Sequence, residues 1–148
     1  MNKLKLTCYG GVGSVTGANF LLDDGETRLL IDCGLFQGTN QAEEMNRENF
    51  KYNPKNIDYL IVTHAHLDHV GRIPKLIAEG FNGIIYSTPA TKDLAELILE
   101  DALRVMEFKM RDDGEQPLYN RNDYVKAFSL WKVIPYHTDF KIGENISI

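Results

Sequence analysis

The chain has 148 residues, enough for one domain with a real core, and carries a net charge of −5. No apolar stretch approaches eighteen residues and the start, Met1-Asn2-Lys3, has no signal-peptide pattern, so neither a membrane-spanning helix nor secretion is expected. The acidic balance argues against a broad basic groove for nucleic acid.

In chain order, Leu4 to Tyr9 alternates and reads as a first strand, which turns into a glycine-rich loop, Gly10 to Asn19. Gly11 and Gly13 suggest a dinucleotide fingerprint, but the third glycine falls one residue late, at Gly17. The segment after it, Asn19-Phe20-Leu21-Leu22, reads as strand rather than helix, and no phosphate-binding lysine follows. A tight connection is the better account. Phe20-Leu21-Leu22 and Arg28 to Ile31 then form a hairpin about Asp23-Asp24-Gly25-Glu26. Asp32 ends its second arm, and a turn role before Gly34 is the plain reading. Cys8 and Cys33 fit no C-x-x-C pattern and lie in or beside apolar segments, so buried free thiols are expected, consistent with a cytoplasmic protein.

Residues 37–54 are polar, with helical propensity over Gln41–Glu48; this stretch could overhang a site, although its charges fit a solvated face. Tyr59 to Val62 is a short buried strand, and Val70 to Ala78 has helical spacing. Ile84 to Ser87 is another strand, followed by a long helix from Thr91 to about Met110. Leu94, Leu97, Ile98, Ala102, Val105 and Met106 are assigned to its buried stripe. Residues 111–117 break it. Asn122 or Asp123 caps a second helix through Leu130 that carries Val125, Phe128 and Trp131 inward. Base stacking by Tyr119, Tyr124 or Trp131 is conceivable, but core or lid packing is the favoured reading. Residues 143–148 start a further strand.

Between the Tyr59 strand and the following helix lies Thr63-His64-Ala65-His66-Leu67-Asp68-His69-Val70-Gly71, which holds three of the four histidines in the chain. Imidazole and carboxylate are ligands preferred by borderline and hard divalent ions. Extended backbone points side chains two apart to the same face, so His64 and His66 can grip one ion. Asp68 and His69 fall where the chain bends into the helix and can aim at a second ion about 3.5–4 Å away. The bland alternative is a surface histidine pair beside a helix-capping aspartate. The fourth histidine, His137, is read as structural or surface.

The H-x-H-x-D-H pattern resembles the signature of the metallo-β-lactamase fold hydrolases. Gly10 to Leu22, Leu30-Ile31-Asp32-Cys33-Gly34-Leu35-Phe36-Gln37-Gly38 and His64 to Leu76 resemble, in combination, the β-CASP RNA-processing nuclease branch, which includes the messenger-RNA 3′-end cleavage nuclease. The resemblance implies an α/β fold, an αββα sandwich of which residues 1–148 supply the N-terminal half as a mixed sheet with flanking helices. It further implies a chain truncated before the third metal motif, with an exposed sheet face and edge through which copies could associate.

It also implies two Zn2+ ions per complete site, with manganese the other candidate. His64 and His66 would hold one ion, Asp68 and His69 the other, with Asp68 also accepting a proton from the nucleophile. Asp32 would support the metal loop without binding an ion. The reaction implied is RNA phosphodiester hydrolysis, with weak metal binding and little turnover expected of these residues alone. Two other functions stand beside it: a thioester, lactone or small phosphodiester hydrolase of the same fold, and a non-catalytic remnant acting as a binding module.

Overall fold

The computed structural model describes residues 3–143 and 145–148. One mixed sheet has the order β1-β2-β3-β4-β5-β6, with β1 Lys5–Gly10, β2 Asn19–Asp23, β3 Arg28–Ile31, β4 Tyr59–Ile61, β5 Ile84–Ser87 and β6 Trp131–Val133. The first three strands are antiparallel neighbours; β3, β4, β5 and β6 run parallel. The four-residue turn 24–27, in which Asp24 Oδ1 accepts from the Glu26 and Thr27 N–H groups, joins β2 to β3, while the parallel strands need the intervening segments as crossovers. Those segments hold α1 Ala42–Arg47, α2 Leu67–Val70, α3 Ile73–Ala78, α4 Pro89–Asp113 and α5 Arg121–Ser129.

Strand alternation divides the apolar residues between two faces. Leu21, Leu30, Leu60 and Ile85 point into the larger core, where they meet Leu76 of α3, Leu99 and Leu103 of α4, and Ala127 of α5. Their neighbours Leu22, Leu29, Tyr59, Ile61, Ile84 and Tyr86 point the other way. A hairpin of β7 Lys141–Ile142 and β8 Ile146–Ser147 covers part of that second face with Ile142 and Ile146. The expected mixed sheet with helices against it is therefore present, and a small second sheet stands on its opposite face. At the β1 edge, Leu6 and the preceding Leu4 are exposed.

Four expectations need correction. Cys8 is exposed, because β1 is an edge strand and its outer face has no covering layer; Cys33 alone is buried. The helix expected over 70–78 is two helices, α2 and α3, since Pro74 has no N–H to continue the ladder and α3 restarts with it in the first turn. The buried stripe of α4 is Thr91, Ala95, Leu99 and Leu103, whereas Leu94, Leu97 and Val105 are exposed. The helix is apolar on more than one side, and the small Ala95 permits the closer approach to the sheet. In α5 the cap is Asn120, whose side chain accepts from the N–H groups of Asn122 and Asp123, while Asp123 accepts from the Asn120 N–H. That phase turns Tyr124 and Ala127 inward and leaves Val125 in solvent.

Candidate metal centre

The cluster sits where the expected strand-to-helix turn places it. After β4 the chain stays extended through His66, the N-cap of α2, at φ −61° and ψ 146°. Ala65 points into the core, so the alternation throws His64 and His66 to the opposite side. His64 Nε2 lies 3.2 Å from His66 Nδ1. The turn of α2 then brings Asp68 Oδ2 to 3.7 Å from His69 Nε2. The His64 and His69 rings are 3.9 Å apart, centroid to centroid, so the two pairs adjoin.

Asp32 governs both imidazoles nearest to it. It is buried, and its carboxylate accepts from the Thr63 N–H and the Thr63 hydroxyl, each at 2.8 Å. Oδ2 also lies 2.8 Å from His69 Nδ1. An ionised carboxylate only accepts, so His69 must carry its proton on Nδ1, leaving Nε2 for a cation. The Thr63 hydroxyl has given its hydrogen to Asp32 and can only accept from His64 Nδ1, 3.0 Å away. That assigns the His64 proton to Nδ1 as well, with the Nε2 lone pair facing His66. Burial, followed by the neighbouring His69 and His66, lowers the pKa of His64 and favours the neutral ring that a metal requires.

The backbone around Asp32 is strapped to the cluster. Cys33 N–H donates to the His69 carbonyl at 2.8 Å, Leu35 N–H to Leu67 at 3.1 Å, and Ala18 N–H to Asp68 at 2.9 Å. Gly34 lies against this strap so closely that a Cβ would stand 1.5 Å from the Asp68 carbonyl oxygen. The end of the glycine loop thus abuts the histidine-bearing segment, as a tight connection should. Asn46 of α1 grips the Phe36 backbone from both sides, accepting from its N–H and donating to its carbonyl, each at 2.9 Å. Between α1 and α4 runs a groove of about 850 Å³, walled in part by Phe36, Leu67, Ile98, Val105 and Met106.

The donor chemistry fits a divalent ion in pairs. Two nitrogens bound tetrahedrally at 2.0–2.1 Å stand about 3.3 Å apart, and His64 Nε2 and His66 Nδ1 stand at 3.2 Å. Among the described residues no group of three or more His, Cys, Asp or Glu side chains is arranged to hold an ion. His137 is exposed at φ +56° in the segment between β6 and β7. Tyr119, Tyr124 and Trp131 are core residues, with Trp131 Nε1 donating to Ser87 Oγ at 2.9 Å. Sequence reasoning passed over Thr63, whose hydroxyl links the two imidazoles, and Asn19, a buried amide behind Asp32. A hydroxyl residue directly before His64 was the one available signal for the first; the second had none.

A histidine-rich turn at the end of a parallel strand, backed by a buried aspartate, defines a class, and the family comparison agrees: the chain belongs to the metallo-beta-lactamase superfamily, whose model matches residues 13–139. Among individual proteins it is similar to Ribonuclease TTHA0252 of Thermus thermophilus, 39% identical over 140 residues, which is 95% of this chain and 30% of that one. It is 31% identical over 145 residues to the transcription termination factor FttA of Methanocaldococcus jannaschii, 98% of this chain and 22% of that one. The Integrator complex subunit 11 homolog of Dictyostelium discoideum is 32% identical over 154 residues, 98% of this chain and 20% of that one. The chain thus spans less than a third of the length of these relatives. The fold also matches the metallo-beta-lactamase fold protein YhfI of Bacillus subtilis, with a TM-score of 0.50 and 17% identity over 95% of this chain and 50% of that one. Among the described residues no helix is long and apolar enough to cross a membrane.

Proposed function

We propose that residues 1–148 form the N-terminal part of the metal-binding domain of a zinc-dependent RNA phosphodiesterase of the β-CASP branch, working in the cytoplasm. The observation that carries this reading is the pairing of donors on one turn, His64 Nε2 with His66 Nδ1 and Asp68 Oδ2 with His69 Nε2. The substrate class is supported by relatives named as a ribonuclease and as transcription termination factors.

In this reading His64 and His66 hold one ion, and Asp68 and His69 hold the other. Imidazole-rich ligation favours zinc over manganese. Divalent ions bound there supply Lewis acidity toward a phosphoryl oxygen and bring the pKa of water down toward about 7. Asp68, whose second oxygen is free of His69, accepts the proton from the attacking water. Asp32 and Thr63 keep the two imidazoles in the tautomers that leave Nε2 available. Two such ions add four positive charges where a phosphate must sit, which offsets the acidic balance of the chain locally.

Catalytic zinc sites use three protein ligands. Each pair within residues 1–148 supplies two, so weak zinc binding and little RNA turnover are expected of this chain. Calorimetric titration of zinc into the chain and into a His64→Ala/His66→Ala variant tests the reading. Weak saturable binding that the double substitution removes is the expected result. Tight binding of two equivalents would overturn the incomplete-site expectation, and binding indifferent to the substitution would overturn the ligand assignment.

A further inference from the structure

Asp32 holds a left-handed backbone conformation, φ +59°, that L-residues seldom adopt. Its own side chain cannot fix that conformation, because both carboxylate oxygens are engaged by Thr63 and His69. What fixes the peptide is a pair of bonds on either side: its N–H donates to the Ile61 carbonyl at 2.8 Å, and its carbonyl accepts from Asn19 Nδ2 at 2.8 Å. Asn19 is fully buried, and its Oδ1 accepts from the Tyr52 hydroxyl at 3.1 Å. The orientation of the amide is forced, since a carbonyl can only accept and the NH₂ must therefore face Asp32. Burial raises the pKa of Tyr52, so its hydroxyl keeps the proton it donates.

We infer that Asn19, set by Tyr52, is a positioning residue for the metal centre: by holding the Asp32 peptide it aims the carboxylate that selects the Nδ1–H tautomer of His69. The path runs through three contacts, Tyr52 to Asn19 to Asp32 to His69, each a hydrogen bond of 2.8–3.1 Å. The side-chain hydrogen bonds of Asn19 go to Asp32 and Tyr52, not to the proposed donors. Its burial follows from β2 lying next to β3, whose chain leads directly into Asp32. An amide at this position is otherwise a poor choice for a fully buried strand residue, since an aliphatic side chain would leave no polar group needing partners.

The inference rests on the metal-centre reading for its affinity measurement alone; its spectroscopic measurement needs no metal. Asn19→Leu keeps the volume and removes the donor. Ring ¹⁵N NMR of the metal-free chain at about pH 8, above the ordinary imidazole pKa, reports the tautomer of His69. Wild-type chain is expected to show Nδ1–H alone, and Asn19→Leu a mixture with Nε2–H, together with a zinc affinity reduced about tenfold or more. Tyr52→Phe leaves the packing in place and is expected to move the same signal in the same direction, by less; it decides the matter if Asn19→Leu does not fold. A folded Asn19→Leu chain, or failing that a Tyr52→Phe chain, with wild-type ring signals overturns the inference. If wild-type chain binds no zinc, the metal-centre reading fails, and the ring signals still decide the role of Asn19.

Discussion

Replacing Gly34 by alanine inserts one methyl group into the strap that joins the Asp32 loop to the histidine-bearing turn. Its carbon would lie 1.5 Å from the Asp68 carbonyl oxygen, 2.0 Å from the carbonyl carbon and 2.6 Å from the His69 nitrogen, and contacts under 3.0 Å essentially never occur. All three atoms are backbone, so no side chain can rotate away. The two segments must part by about 1.5 Å or more, which carries the bonds Cys33 N–His69 O, Leu35 N–Leu67 O and Ala18 N–Asp68 O beyond hydrogen-bonding range. At roughly 1 kcal/mol each, the loss is about 3 kcal/mol, a large share of the ~5–15 kcal/mol that holds a domain together. The melting temperature should fall by roughly 6–12 °C at this chain length. Urea unfolding followed through the fluorescence of Trp131, the single tryptophan and a buried one, measures it. A Gly34→Ala chain whose midpoint matches wild type, with an unaltered denaturant slope, would refute the close-approach reasoning.

Further expected outcomes concern other parts of the molecule. Leu99→Ala, in the buried stripe of α4, should cost about 2–5 kcal/mol, and Leu97→Ala on its exposed side less than about 0.5 kcal/mol; equal losses in parallel urea titrations would contradict the assigned phase. A thiol reagent should label one cysteine in the native chain, Cys8, while Cys33 reacts only after unfolding, because burial pushes its thiol up to about 12 and shields it. Mass spectrometry of the labelled chain counts the adducts, and rapid double labelling would be incompatible with the core described. Asp24 has its carboxyl held below the usual carboxylate range, chiefly by the Thr27 and Glu26 N–H groups. Its contribution should be complete above the unfolded value near pH 4 and vanish as pH falls through the lowered folded value. Asp24→Asn should therefore weaken the chain at pH 7, with the gap to wild type closing toward pH 2; a gap that widens in acid would be wrong in sign.

The readable parts of the sequence were those where local pattern and tertiary outcome coincide. Period-two alternation over Leu4–Tyr9 gave the first antiparallel strand, the apolar runs on either side of the Asp23-Asp24-Gly25-Glu26 turn gave the next two, and the short run at Tyr59–Val62 gave a parallel one. The His64–His69 spacing gave the turn, because extended backbone and a first helical turn fix where those side chains point. Errors fell where a third element decides. Apolar residues surround much of α4, so its phase depends on which side the sheet presents to Ala95 and Leu99. Cys8 lies in an alternating segment that reads as half-buried, and only the edge position of β1 leaves it exposed. Asn120 was passed over because Asn122 and Asp123 are equally competent caps on composition, and the bonds made by the Asn120 side chain choose between them. Asn19 stood where the glycine loop meets a strand, with no role assigned to it; its role appears only once Asp32 lies beside it.

All four proposed metal donors fall within six consecutive residues, yet the carboxylate that orients two of them, His64 and His69, lies 31 to 37 positions away, through Asp32 to Thr63 and Asp32 to His69. A peptide cut from this turn would hold the donors without the carboxylate that orients His64 and His69. The parallel pairing of β3 with β4 has to form before the carboxylate can reach either residue, so the centre matures late, with the sheet, rather than with its own short stretch of chain. In the proposed reading, affinity for a cation then becomes a gauge of whether the whole sheet is intact. A lesion far from the histidines such as Leu99→Ala then lowers apparent affinity, in that reading, by the fraction of molecules it unfolds, and a saturating ion returns part of that loss.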